Sequence, residues 1–159
     1  MDIPAHVRIL ATIKTGVVYY FEEEQLLSKE PHYFVVLNKE PHTEEFLILV
    51  CASSQVEKRQ QTIQKLGFLR ETLVFVSSSE YSLFTKDTVI DCNRVFEKTA
   101  RSLIEKLEQN QLKVCPEVMS ELIVQKLIRG IAASTQVSGK IKKMLAGFGS
   151  ADSIDVSVG

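Results

Sequence analysis

The sequence predicts an α+β fold in which a small antiparallel β-barrel is followed by C-terminal helices. Short apolar runs rich in β-branched and aromatic residues recur as far as Ile90, and turn residues separate them, as is typical of strands. After Asn93, apolar residues recur at spacings of three and four, which indicates amphipathic helices. The 159 residues are 45% hydrophobic, which suits one core with a helical annex and does not fit a multidomain enzyme.

Five short strands account for the β region, the number expected of a small barrel. They are predicted at residues 17–21, 33–37, 46–51, 73–76 and 88–90. The polar connection 39–44 contains Pro41 and has hairpin length, so antiparallel pairing follows. A helix over 55–66 interrupts the strands, with Ser54 as its candidate N-cap and Gly67 just beyond its end.

Three further helices are predicted at 96–107, at 116–129 with Pro116 in the first turn, and at 134–145. Asn93 is a candidate cap for the first of them. The stripe on 116–129 packs either on this chain's own barrel or on a second copy. The predicted organisation is therefore a barrel domain over 1–108, a helical annex over 109–147 and a disordered tail over 148–159.

The net charge and the cysteine spacing limit the kinds of binding site and the cellular compartment that the sequence allows. The formal net charge is -1, so a nucleic-acid site has to be local rather than spread over the surface. Cys51, Cys92 and Cys115 form no CxxC pair, which argues against a disulfide framework or a zinc site. No run approaches the ~20 apolar residues of a membrane span, and no signal-peptide pattern opens the chain. We expect a cytoplasmic protein with no membrane partner, no metal and no cofactor.

Four segments in order carry a family resemblance. They read G-V-V-Y-Y-F from Gly16, P-H-Y-F-V-V-L-N from Pro31, F-L-I-L-V-C-A-S-S-Q from Phe46 and T-V-I-D-C-N from Thr88. This order resembles the PemK/MazF family of plasmid-maintenance, growth-inhibiting toxins, over roughly residues 16–107. The resemblance implies an SH3-like barrel with helical additions.

The resemblance also implies a function and partners. The family members are toxins of toxin–antitoxin pairs that cleave single-stranded RNA without a metal, so we expect an endoribonuclease, a homodimer and an antitoxin protein as partner. Two departures stand out. Val17 replaces the usual acidic residue, and His32 stands where the family's arginine falls. Whether His32 preserves the activity is left open, as are the RNA sequence preferred, the antitoxin and the role of the C-terminal helices.

His32 and Ser53 are the candidate catalytic residues. RNA cleavage of this kind uses the RNA 2′-hydroxyl as nucleophile, so the protein removes a proton, stabilises the phosphorane and protonates the leaving oxygen. Histidine titrates near neutrality and suits the acid/base role. Ser53 matches the family's hydroxyl position. The competing interpretation of His32 is a surface histidine at a strand end.

Ser54, Gln55, Lys58 and Arg59 are the candidate RNA- and phosphate-binding residues. They lie at the start of the predicted helix, where free N–H groups and positive side chains favour a phosphate. Capping explains Ser54 equally well, and a solvated helix face explains the cations. Asp91 is a candidate for orienting the catalytic base.

Two other functions compete. A non-catalytic barrel that binds a peptide or protein agrees with the net charge of -1. A topoisomerase-inhibiting member of the same barrel superfamily is less compatible, because the chain has no tryptophan and its end, S-I-D-V-S-V-G, contains no aromatic residue.

Overall fold

The strands at 47–53 and 32–36 lie at the centre of an antiparallel sheet, flanked by helices. The computed structural model describes residues 3–146. Along this range the chain forms α1 Ala5–Thr12, β1 Val18–Phe21, β2 His32–Val36, β3 Leu47–Ser53, α2 Val56–Leu66, a 3₁₀ turn Arg70–Thr72, β4 Leu73–Val76, β5 Thr88–Asp91, β6 Phe96–Lys98, α3 Ala100–Glu108, β7 Leu112–Val114, α4 Glu121–Ala133 and α5 Gly139–Ala146.

The sheet has the strand order β4-β5-β3-β2-β1-β7, and β6 pairs with the first half of β3. β3 is long enough to serve two neighbours on one side, pairing with β6 through 47–49 and with β5 through Ala52 and Ser53. The α+β class and the antiparallel pairing are confirmed. The predicted closure is not found, because β4 and β7 do not pair in the described part of the chain.

Both faces of the sheet are apolar, which explains why it stays open. Val35 and Val50 face a core shared with α4 and α5, whereas Phe34 and Leu49 face a second core shared with α1 and α3. A sheet with two buried faces is covered by two helical layers, whereas a barrel encloses a single interior. The near-continuous apolar runs of β1 to β3 are the sequence signature of this arrangement.

The predicted helix over 96–107 is wrong at its start. Phe96 lies in β6 opposite Leu49, and α3 begins only at Ala100. Thr99 is the N-cap, since its side chain accepts a 3.1 Å hydrogen bond from the Ser102 N–H. Asn93 therefore does not cap this helix. β6 forms hydrogen bonds with an edge of β3 that would otherwise be unpaired. These bonds stabilise a strand at this point although the apolar residues recur at helical spacing.

The predicted helix at Pro116 is also wrong at its start. α4 begins at Glu121, with the Ser120 hydroxyl accepting a 3.2 Å hydrogen bond from the Ile123 N–H. The preceding segment bonds elsewhere: the Met119 N–H donates to the Gly16 carbonyl at 2.8 Å. The Tyr81 hydroxyl donates to the Glu117 carbonyl at 2.7 Å. These partners hold 116–120 out of a helix.

The apolar stripe predicted on 116–129 packs mainly within its own chain. Ile123, Leu127 and Ile131 belong to the core on the α4 face of the sheet and are at most 1% exposed. Val118 and Leu122 remain outside it, and Leu122 is 61% exposed. Of the two alternatives for the stripe, packing on this chain accounts for most of it.

Besides β6 and the 3₁₀ turn, two elements were not predicted, α1 and β7. α1 packs against α3 and buries Ile9, and β7 pairs with β1 through Tyr19–Val114 and Phe21–Leu112. β7 therefore joins the segment after Asn110 to the same sheet as the strands before it. The tail predicted over 148–159 lies outside the described residues. Within residues 3–146, no helix combines the length and apolar character needed to cross a bilayer.

Candidate functional site

The two predicted catalytic residues come to the same end of the sheet. β2 begins with His32, and β3 ends with Ser53. The pairing of these strands runs from Val36–Leu49 to Phe34–Cys51. Continuing that register by two residues sets His32 across from Ser53, and the two-residue period of a strand puts both on the face that Cys51 occupies.

His32 is half-buried and tied to the backbone. Its Nδ1 lies 2.8 Å from the Glu30 carbonyl oxygen. A proton on Nδ1 donated to this carbonyl leaves Nε2 as a free acceptor, which is the tautomer a general base requires. The same residue pairs with Phe21 on β1, so the strand holds the ring at the sheet end.

Ser53 and Ser54 lie in the turn before α2, and neither of them is the N-cap of that helix. The Ser53 Oγ accepts a 3.1 Å hydrogen bond from the Gln55 N–H, which leaves its own O–H free to donate. Gln55, not Ser54, is in the N-cap position of α2, and no side chain caps this end. Ser54 as N-cap is therefore wrong, because the turn after β3 carries the helix start one residue further along.

Three of the four predicted phosphate-binding residues share one open depression of about 630 Å³. Ser54, Gln55 and Lys58 line it, together with Lys86 from the loop before β5. The sequence did not indicate Lys86, since it is distant along the chain and enters through the pairing of β5 with β3. Glu57 and Asp87 also line the depression, so its charge is balanced.

Arg59 lies apart from that depression, towards Cys51. Its side chain is half-buried, and the buried Nε has no hydrogen-bond partner. Arg59 and Arg94 both act electrostatically on the Cys51 thiol. Burial raises the pKa of Cys51 to about 12, an effect that the two arginines oppose. Cys51 is therefore a neutral thiol at physiological pH, and the carboxylates of Glu23 and Asp91 act on it as well as the two arginines.

Arg94 is the functional candidate that sequence reasoning missed. Its guanidinium donates a 2.8 Å hydrogen bond to the Gln25 carbonyl and lies 4.9 Å from the centre of the Phe96 ring. The Gln25 contact comes from a distant part of the chain, whereas Phe96 lies two residues along in β6. The only sequence signal is its position directly after Asp91-Cys92-Asn93, the turn that follows a strand.

A buried ion pair fixes the loop between β1 and β2 beside these residues. Glu23 Oε1 lies 2.5 Å from Lys98 Nζ, with side-chain exposures of 0% and 13%. Oε1 is at ion-pair distance from Lys98 but accepts no hydrogen bond of suitable geometry. The other carboxylate oxygen, Oε2, accepts a 3.1 Å hydrogen bond from the Gln25 N–H. Gln25 is thus held by both Glu23 and Arg94. A buried pair of this kind is costly to break from one side only.

Asp91 and Asn93 have structural roles in this arrangement. Asp91 Oδ1 accepts 2.9 Å hydrogen bonds from both the backbone and the side-chain nitrogen of Asn93. The Asn93 amide also donates to the Thr72 hydroxyl at 2.8 Å. These hydrogen bonds stabilise the turn after β5. None of them joins Asp91 to a histidine, so they do not support its predicted role in orienting the catalytic base.

In residues 3–146, no group of three or more His, Cys, Asp and Glu side chains is placed to hold a metal ion. The sequence matches no protein-family model and no curated protein.

Proposed function

We propose that this chain is a toxin-like, metal-independent endoribonuclease of the PemK/MazF type, which cleaves single-stranded RNA and is paired with an antitoxin. The proposal is supported by the register of β2 and β3, which when continued sets His32 across from Ser53, and by the depression that Ser54, Gln55 and Lys58 line directly after Ser53. On this proposal β1 to β5 are an opened SH3-like barrel, and the active form is a homodimer.

The reaction follows from the free groups of these residues. His32 Nε2 accepts the proton of the RNA 2′-hydroxyl, whose oxygen attacks the adjacent phosphorus. A 2′,3′-cyclic phosphate forms as the bond to the 5′-oxygen breaks, and water protonates that leaving oxygen. Ser53 donates its O–H to a non-bridging phosphate oxygen, where negative charge increases in the transition state.

Arginines on other elements replace the cation that the second strand lacks. Arg59 on α2 and Arg94 after β5 both act on Cys51, two residues from Ser53 on the same face of β3. The unpartnered Nε of Arg59 favours it for the phosphate, since a buried donor without a partner gains most from a new acceptor. Arg94 already donates to Gln25 and supplies long-range positive charge.

A non-catalytic binding module is the second candidate. β4 is an edge strand of the sheet. Its own Phe75 and two leucines of the preceding segment, Leu66 and Leu69, are each more than half exposed. An edge strand next to exposed apolar side chains suits β-augmentation by a peptide or a partner strand.

The test is incubation of the purified chain with 5′-labelled single-stranded RNA in the presence of a chelator. We expect fragments that end in a cyclic phosphate, identified by mass spectrometry. A chain that leaves every RNA intact but still captures a peptide partner would support the binding module instead.

A further inference from the structure

We propose that the groove between β1, β7 and α3 is a subsite for one unpaired base of the RNA, next to the phosphate that is cleaved. The inference rests on the proposed function. It assigns a role to β7 and to the turn before it, both of which lie beyond the segment that resembles the toxins.

The groove continues the row of residues that contains His32. Phe21 on β1 pairs with His32 on one side and with Leu112 on the other. Phe21, Leu112 and Pro31 all line the groove, whose volume is about 530 Å³. Two strand spacings, about 10 Å, separate the backbones of β2 and β7. A single oligonucleotide with its phosphate at His32 therefore has a neighbouring nucleotide at the groove.

The charges of the groove favour a neutral base over a phosphate. Lys106, Lys113, Glu22 and Glu24 line it, so two positive side chains meet two negative ones. Lys106 Nζ is 3.5 Å from Glu24 Oε1 and 3.3 Å from the Glu22 carbonyl oxygen. A lysine engaged in this way is not available to a phosphate without breaking these contacts. The Glu22 carboxylate repels a phosphate but accepts hydrogen bonds from amino groups of bases.

Two side-chain amides supply hydrogen bonds that a base can use. Tyr20 also lines the groove, but its ring packs on Tyr33, with 4.5 Å between ring centres, in the core on the α4 face of the sheet. It is therefore not assigned a stacking role. The exposed side chains of Asn110 and Gln111 line the same groove, and each amide offers both a donor and an acceptor.

The turn that carries these amides is fixed by its own backbone. Asn110 has a left-handed φ of 59°, a conformation in which asparagine is enriched. Its N–H donates to the Leu107 carbonyl at 3.1 Å, and the Gln111 N–H donates to the Lys106 carbonyl at 2.8 Å. The backbone that carries the two amides is therefore held at the rim before RNA binds, which lowers the entropic cost of reading a base.

The experiment measures binding without cleavage. Short RNAs with 2′-O-methyl groups lack the nucleophile, so their dissociation constants report recognition alone. A set that varies one base at each position is titrated by fluorescence anisotropy against the native chain, Gln111→Ala, Glu22→Gln and the control Gln109→Ala. Gln109 is an exposed glutamine of the same turn that does not line the groove.

We expect the native chain to prefer one base at one position by about tenfold or more, since a paired amide or carboxylate contact discriminates at that level. In Gln111→Ala and Glu22→Gln, the dissociation constants for the different bases are expected to become nearly equal. The control Gln109→Ala should keep the preference of the native chain. If both groove variants keep the full base preference, the subsite is overturned. The endoribonuclease proposal is then still supported by cleavage of unmodified RNA. A native chain that binds no RNA at all overturns both.

Discussion

The hydroxyl of Ser134, at the end of α4, donates a 2.8 Å hydrogen bond to the side-chain oxygen of Asn93 in the turn after β5. Both residues are buried, and Asn93 also donates to Thr72 and Asp91. The bond joins the α4 layer to the strand that pairs with the C-terminal end of β3. The positions of Asp91 and Arg94 therefore depend on how α4 is packed.

Replacement of Asn93 with Ala should lower the free energy of unfolding by about 1–3 kcal/mol per buried group left unpaired. Ser134→Ala removes fewer bonds and should cost less. Urea denaturation of both single variants and the double variant measures the coupling between them, expected at about 1 kcal/mol. Additive effects of the two substitutions would show that the bond contributes nothing.

Gly130→Ala should destabilise the fold by about 1–3 kcal/mol, through overpacking. A Cβ at Gly130 would lie 2.8 Å from Cys92 Sγ and 2.9 Å from the Glu71 carbonyl oxygen. Gly139→Ala is the matched control, because nothing lies within 4 Å of its Cβ position at the start of α5. The control should be neutral or gain up to about 1 kcal/mol. Thermal unfolding compares the two, and equal midpoints would contradict the prediction.

His32→Ala and Ser53→Ala should each slow RNA cleavage by at least about 10²-fold, as loss of a proton-transfer group or an anion donor does. His42→Ala serves as control, since His42 is exposed in the loop between β2 and β3. Rates are measured on labelled RNA in chelator under single-turnover conditions. Full activity of His32→Ala would remove this histidine from the mechanism.

Arg59→Gln should lower kcat, whereas Lys58→Gln should mainly raise KM. The reason is position: Arg59 acts on Cys51 beside Ser53, while exposed Lys58 lines the outer depression. A group that stabilises the transition state changes kcat, and one that binds the substrate uniformly changes KM. Steady-state kinetics at low salt separates the two, and identical effects of both substitutions would refute the distinction.

The cysteines should react slowly with iodoacetamide at pH 8 in the native chain and quickly in urea. Burial raises the pKa of Cys51 to about 12 and also raises the pKa of Cys92 and Cys115. In the unfolded chain the thiols titrate near 9.0, so this state loses protons first as the pH rises. The contribution of these thiols to the free energy of unfolding is therefore fully present below pH 9 and is lost as the pH rises towards 12. Urea midpoints measured from pH 8 to pH 11 should therefore fall, and Cys51→Ala should reduce that slope.

The central elements of this protein are encoded in local sequence patterns. The apolar runs that became β1 to β5 and the helix ending before Gly67 were predicted within two residues. The reason is local: the runs are apolar enough to be buried on both faces, and Gly67 takes the left-handed φ of 73° that ends α2. The order of these runs also indicated that His32 and Ser53 end on neighbouring strands.

The completion of the sheet and the set of charges around its end depend on contacts between distant segments. β6 and β7 are three residues long and carry too little pattern to be recognised, since their stability comes from the open edges of β3 and β1. Arg94, Lys98 and Glu23 come together because β6 pairs with β3 beside the loop after β1. Such a cluster depends on pairing between distant segments, and no local spacing encodes it.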